Sequence, residues 1–197
     1  MGSERRNKSQ LRWAVIITAW TFVLAVFLGM VTQYLLAGIQ SILLAAVNLV
    51  IIIFIGILFD MIGIAATAAD EVPILAKAAK KTPGAREALY LVRHADRVSN
   101  FCNDVVGDIA GIISGGLGAL LVLRLVAGGY FQESPLLSIF LTGIISALTV
   151  GGKALGKTFA IERSTEIILG VASLLTKIDA ILPGKSIFGN ALPRKRK

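Results

Sequence analysis

The chain has 197 residues, 55% of them hydrophobic and only 16% charged, with a mean hydropathy of +0.78, a balance that excludes an ordinary soluble domain and points to an integral membrane protein. Its single cysteine, Cys102, excludes an internal disulfide, and with one histidine, His94, it leaves no Cys/His set for zinc, haem or an iron–sulfur cluster. The net charge of +8 would suggest nucleic-acid binding in a soluble protein, but here membrane topology explains the cations and no nucleic-acid partner is expected.

Apolar runs at 13–36, 42–66, 104–127 and 135–157 each approach the roughly 20 residues a helix needs to cross the hydrocarbon core. The expectation is an all-α protein with four transmembrane helices. Residues 1–41 form a basic tail, with Arg5, Arg6, Lys8 and Arg12, and a leading span. A signal peptide is the alternative for that run, but about 24 apolar residues exceed the usual 7–15. Trp13, Trp20 and Tyr34 read as interface anchors.

The second run carries Asp60 in GILFDMIG. After it, the connector 68–97 reads as two short helices, EVPILAKAAKK and GAREALYLVRHADR, broken at Pro83-Gly84. A helical hairpin on the inner face is expected, with Leu89, Tyr90 and Val92 on lipid or protein and Arg86, Arg93 and Arg97 toward water or lipid phosphates. A solvated charged loop is the alternative.

The third run, NDVVGDIAGIISGGLGALL, opens with Asp104 and Asp108, and the fourth ends at Lys153 in TVGGKALGK. The stretch 165–182, interrupted by Glu166, Lys177 and Asp179, reads as an interfacial amphipathic helix, with a fifth span as the alternative. Residues 183–197 form a basic tail ending in PRKRK. Every lysine and arginine except Arg124 lies before the first run, in the connector, or at and beyond the inner end of the fourth. Both termini are therefore expected in the cytoplasm, in the cell inner (plasma) membrane.

Asp104 and Asp108, four residues apart, share one helix face. A charge costs roughly 2.5–3.5 kcal/mol at the centre of a membrane helix, so carboxylates there need a partner, a water-filled cavity or a cation, unless they sit solvated at the interface. Asn100 and Asn103 add amide oxygens, giving a donor set that suits Mg²⁺ or Ca²⁺. Asp60 and Lys153 lie at similar depth on neighbouring spans, so all four charges could meet. Pairing of Lys153 with Asp108 or Asp60 would make a structural ion pair that needs no metal, and snorkelling of Lys153 to the interface is the third option. Gly107, Gly111 and Gly115, with Gly152 and Gly156 on the fourth span, are expected to serve helix packing. No nucleophile–base pair, phosphate-cradling loop or H-E-x-x-H occurs, so no enzyme activity is expected.

From Asn48 onward, over about 140 residues, the order of elements resembles the transmembrane domain of the CNNM and CorB/CorC magnesium transporters. Ala95-Asp96-Arg97 is similar to the family's Pro-Asp-Arg-like step, Gly107-Asp108 to its Gly-Asn pair, and Gly152-Lys153-Ala154-Leu155-Gly156-Lys157 to its Gly-Glu-x-x-Pro-Lys motif. The family's small-Gly-Ser-Glu-x-Ala segment is similar to Ile64-Ala65-Ala66-Thr67-Ala68, without its acid, while Lys153 stands at the glutamate and Gly156 at the proline. The resemblance implies a dimer that moves Mg²⁺, here as a stand-alone membrane domain spanning 42–182, without the CBS-domain pair and with an extra leading span. A separate cytoplasmic regulatory protein would then be a natural partner. Asp108, Asp104 and Asn103 are the candidate ion ligands, with Asp60 and Thr67 nearby and Lys153 as gate or internal counter-ion. The alternative is a non-transporting scaffold or regulatory subunit in which Lys153 replaces the ion.

Overall fold

A computed structural model of the protein describes residues 2–37, 41–131 and 134–181. The expected Ala37–Ser41 turn, the loop around Glu133 and the basic tail 183–197 lie wholly or partly outside the described residues.

The described chain is helical, with no strand among those residues. In order it forms α1 (Gly2–Ala37), α2 (Ile42–Ala68), α3 (Glu71–Ala79), α4 (Ala85–Arg93), α5 (Ala95–Ser99), a π-helical segment (Asn100–Gly107), α6 (Asp108–Ala127), α7 (Pro135–Glu162) and α8 (Ser164–Ile181). Among the described residues three continuous helices are long and apolar enough to cross a membrane: Ile42–Ala68, Ala95–Ala127 and Pro135–Glu162. A shorter apolar stretch, Val15–Val31, lies within α1. Large apolar side chains stand outward along these helices, among them Phe22, Leu43, Phe54, Ile112, Phe140 and Leu155. A water-soluble protein rarely exposes so much contiguous apolar surface. Hydrocarbon is the solvent that accepts it, and the protein is a helical membrane protein.

Two boundaries differ from the hydropathy reading. Helix α1 begins at Gly2, so the basic tail continues the helix that follows it. The third spanning helix begins at Ala95, nine residues before the apolar run, because Ala95–Ser99 and the π turns lead into α6 without a break.

The chain divides into two compact units, Met1–Ile53 with Ile109–Ile145, and Phe54–Asp108 with Ser146–Lys197. In the first, Leu49, Ile109, Leu117, Val122 and Ile145 are buried, and the Ile145 side chain occupies the space that a side chain at Gly118 would fill. Ser114, 2% exposed, donates its hydroxyl to the Gly111 carbonyl at 2.9 Å, which satisfies it within its own helix.

The second unit holds a core of Ala65, Ala66, Ile74, Ala88, Leu91, Ala160, Ile168 and Ala172. Helices α3 and α4 form the expected hairpin, and α4 also packs on α8. The turn between α3 and α4 places Lys81 (φ 58°) and Gly84 (φ 78°) in the left-handed region. At Gly84 the Ser173 backbone of α8 comes so near that a Cβ would stand 2.9 Å from its nitrogen, so glycine satisfies both the turn and the close approach. Ile168 and Ala172, one turn apart on α8, are fully buried. Part of the apolar face of α8 thus has protein as its cover, while Leu174 and Ile178 on the same helix stay exposed. Arg93 and Glu71 pair across the hairpin at 2.6 Å on its exposed side.

Candidate cation site

The second unit also carries the charged residues singled out above. On α7, Gly152 and Gly156 are one turn apart and meet Ile57 and Met61, one turn apart on α2. A Cβ at Gly152 would overlap the Ile57 side chain, and one at Gly156 would lie 2.8 Å from Met61 Cγ. The two glycines let α2 and α7 approach closely. That register brings the residues between them together: Lys153 Nζ lies 3.4 Å from Asp60 Oδ1. The side chains are 27% and 16% exposed, respectively, so neither is sealed from its surroundings.

The π-helical segment supplies a third wall. A Cβ at Gly107 would stand 3.3 Å from the Cys102 carbonyl oxygen, 3.5 Å from Lys153 Nζ and 3.7 Å from Asp60 Oδ1. One turn earlier, the Asn103 carboxamide presses against Gly63, which is one turn from Asp60 on α2. Asn103 Nδ2 donates to Ser99 Oγ at 3.2 Å, and its Oδ1 is buried with no donor among the described residues. Two glycines, Gly63 and Gly107, therefore seat an amide and a charge pair against each other's helices. π turns inside α-helices frequently accompany functional sites.

The remaining candidates fall elsewhere. Asp104 and Asp108 are exposed, and neither makes an ion pair or hydrogen bond among the described residues. Of the four charges, the structure joins Asp60 and Lys153 only. Thr67 is exposed and donates its hydroxyl to the Ile64 carbonyl at 2.8 Å. It lies two turns from Asp60, about 10 Å by helical rise. Gly111 and Gly115 have open space where a side chain would begin. Gly63 was not among the sequence candidates, although its position three residues after Asp60 was the available signal.

Among the described residues no three His, Cys, Asp or Glu side chains come together as a metal cluster. The three atoms nearest the Cβ position of Gly107 are a backbone carbonyl oxygen, the Lys153 ammonium and the Asp60 carboxylate. The two oxygens suit a hard cation in type, while the ammonium already balances their charge. The chain matches no protein-family model, no curated protein and no solved structure.

Proposed function

We propose that the chain is a cation-binding transport protein of the CNNM/CorC kind in which Lys153 acts as gate. In this reading four spans cross the inner (plasma) membrane with both termini in the cytoplasm, and a cytoplasm-facing cavity leads to Asp60. The protein works as a homodimer, with a separate cytoplasmic regulatory protein as a further partner. The observation that carries the reading is the Lys153–Asp60 pair, 3.4 Å apart and incompletely buried on helices of spanning length. A charge pair in hydrocarbon is costly and marks ion pathways in membrane proteins. The ammonium neutralises Asp60 at rest, and its retraction frees the carboxylate for a cation. Asp104 in the π-helical segment and Asp108 at the start of α6, both exposed, collect cations on the approach. The resemblance implies Mg²⁺ as cargo.

The test is flux into vesicles containing the purified protein, with Mg²⁺, Na⁺ and K⁺ supplied separately. Wild type is expected to move at least one of them, Asp60→Asn to lose that flux, and the Asp104→Asn/Asp108→Asn double variant to slow it. No flux of any cation by wild type refutes transport.

The same ion pair favours a second reading, a membrane scaffold or regulatory subunit in which the Lys153 ammonium permanently fills an ion's place. That reading predicts that cations change neither the stability of the wild type nor that of Lys153→Met.

A further inference from the structure

Helix α3 has an apolar side that the core of its own unit does not use. Its Ile74 is fully buried in that core. Val72, Leu75, Ala76 and Ala79 recur at the spacing that lines one side of a helix, and all four are exposed, Val72 by 71% and Leu75 by 47%. On α4, by contrast, Leu89, Tyr90 and Val92 pack against the core. The outward apolar face of the hairpin therefore belongs to α3.

The charges around that face are of one sign. From Val72 to Arg86 no acidic residue occurs, and Lys77, Lys80, Lys81 and Arg86 are all exposed. Glu71, at the start of α3, is held by Arg93 at 2.6 Å. The end of α3 keeps a lysine where another residue would fit more easily. Thr82 N–H donates to the Lys77 carbonyl at 3.1 Å and Lys81 N–H to the Ala78 carbonyl at 3.0 Å, the pair of bonds that closes a helix through a left-handed residue, usually glycine. Here that residue is Lys81, at φ 58°. A lysine there accepts backbone strain that glycine avoids, and strain of this kind points to a use for the side chain.

The spanning helix α2 ends at Ala68 and α3 starts at Glu71. Three Cα steps reach about 11 Å at most, so the start of α3 stays near the end of that span. We infer that α3 docks on anionic lipid headgroups, with Val72, Leu75, Ala76 and Ala79 entering the interface and Lys77, Lys80 and Lys81 binding the lipid phosphates. A cluster of cations just beyond a span, on a helix with an apolar face, suits an anionic leaflet. A zwitterionic headgroup carries the same phosphate with its charge already cancelled, so the lysines select the anionic lipid. An acidic protein would satisfy the lysines alone, whereas lipid satisfies the lysines, the apolar face and the tether to α2 together. The inference goes beyond the transport reading and stands whether or not a cation is moved.

The test uses the full chain with Cys102→Ala and Val72→Cys, labelled at position 72 with an environment-sensitive dye. It is reconstituted in vesicles of phosphatidylcholine, or of three parts phosphatidylcholine to one part phosphatidylglycerol. Both leaflets carry the same mixture, so either orientation of the protein meets it. Emission is expected to be at least about twofold brighter with phosphatidylglycerol, and Lys77→Gln, Lys80→Gln and Lys81→Gln together to abolish the difference. Emission typical of water in both vesicles overturns the docking and gives the face to a protein partner. Equal apolar emission in both, or a difference that survives the three substitutions, overturns the selection of anionic lipid.

Should Cys102→Ala fail to fold, thermal scans without the label decide. In detergent micelles, added phosphatidylglycerol is expected to raise the wild-type unfolding midpoint by about 3–5 °C over phosphatidylcholine. Lys81→Gly relieves the backbone, so it is expected to raise the midpoint in phosphatidylcholine and yet to shrink the gain from phosphatidylglycerol. A lysine that serves only to end the helix would leave that gain unchanged, and an unchanged gain overturns the inference. None of these readouts involves cation flux, so they decide independently of the transport test.

Discussion

Replacing Lys153 by Met removes the ammonium while keeping an unbranched apolar stem. Asp60, 16% exposed, is then left as a largely buried carboxylate without its partner at 3.4 Å. Fully exposed pairs contribute about 0–1 kcal/mol, whereas removing one member of a buried pair costs about 3–5 kcal/mol. With the lysine 27% exposed, this pair falls between those limits, and the expected loss is about 2 kcal/mol. For a chain of this size each kcal/mol moves the unfolding midpoint by roughly 2–4 °C, so a fall of about 4–8 °C is expected. The chain supplies its own probe. Cys102 is the sole cysteine and is 6% exposed, so a thiol-reactive fluorogenic dye reports unfolding as the thiol becomes accessible. The scan is run in detergent with N-methylglucamine as the only added cation. Adding Asp60→Asn to Lys153→Met removes the stranded charge and is expected to recover most of the loss. A midpoint within about 1 °C of wild type for Lys153→Met, or a double variant no more stable than the single, refutes the reasoning that the pair is desolvated.

Gly84→Ala places a side chain at φ 78° and 2.9 Å from the Ser173 nitrogen. The backbone alone costs about 1–2 kcal/mol, and the displacement of α4 from α8 brings the expected total to about 2–4 kcal/mol, measured with the same dye. Ile168→Ala empties a site with no exposed surface in the α4–α8 core and is expected to cost about 2–5 kcal/mol; a loss below about 1 kcal/mol would show that α8 is loosely held. Gly111→Ala and Gly115→Ala meet nothing within 4 Å among the described residues. If a second copy packs on that ridge, both variants are expected to weaken crosslinking of the reconstituted dimer. Unchanged crosslinking, with the stability gain of about 1 kcal/mol that alanine brings to an open helix position, rejects a dimer on that face.

Hydropathy and turn chemistry made much of the chain legible. The second and fourth apolar runs correspond to α2 and α7, and Pro83-Gly84 does mark the break between α3 and α4. The start of the third helix was not legible, because Ala95–Asn103 is polar enough to end an apolar run and still helical in conformation. The π turns left no mark either, since over eight residues a helical period slightly wider than 3.6 has no distinct pattern. The glycine ridges looked alike in sequence, yet Gly152 and Gly156 receive Ile57 and Met61 while Gly111 and Gly115 receive nothing among the described residues. Spacing shows where a helix is smooth, and says nothing of what lies against it.

The amino-acid sequence by itself determined that the chain belongs in a membrane, because transfer of apolar side chains into hydrocarbon is a sum over local residues. It also marked Asp60 and Lys153 as charges in costly places. Which charges meet was decided only by the tertiary structure. Asp60 and Asp108 were equal partners for Lys153 on paper, and the choice fell to Asp60 because Ile57 and Met61 seat against Gly152 and Gly156. The rotation of one helix against another depends on that shape fit across two segments far apart in the chain, and no local free energy contains it.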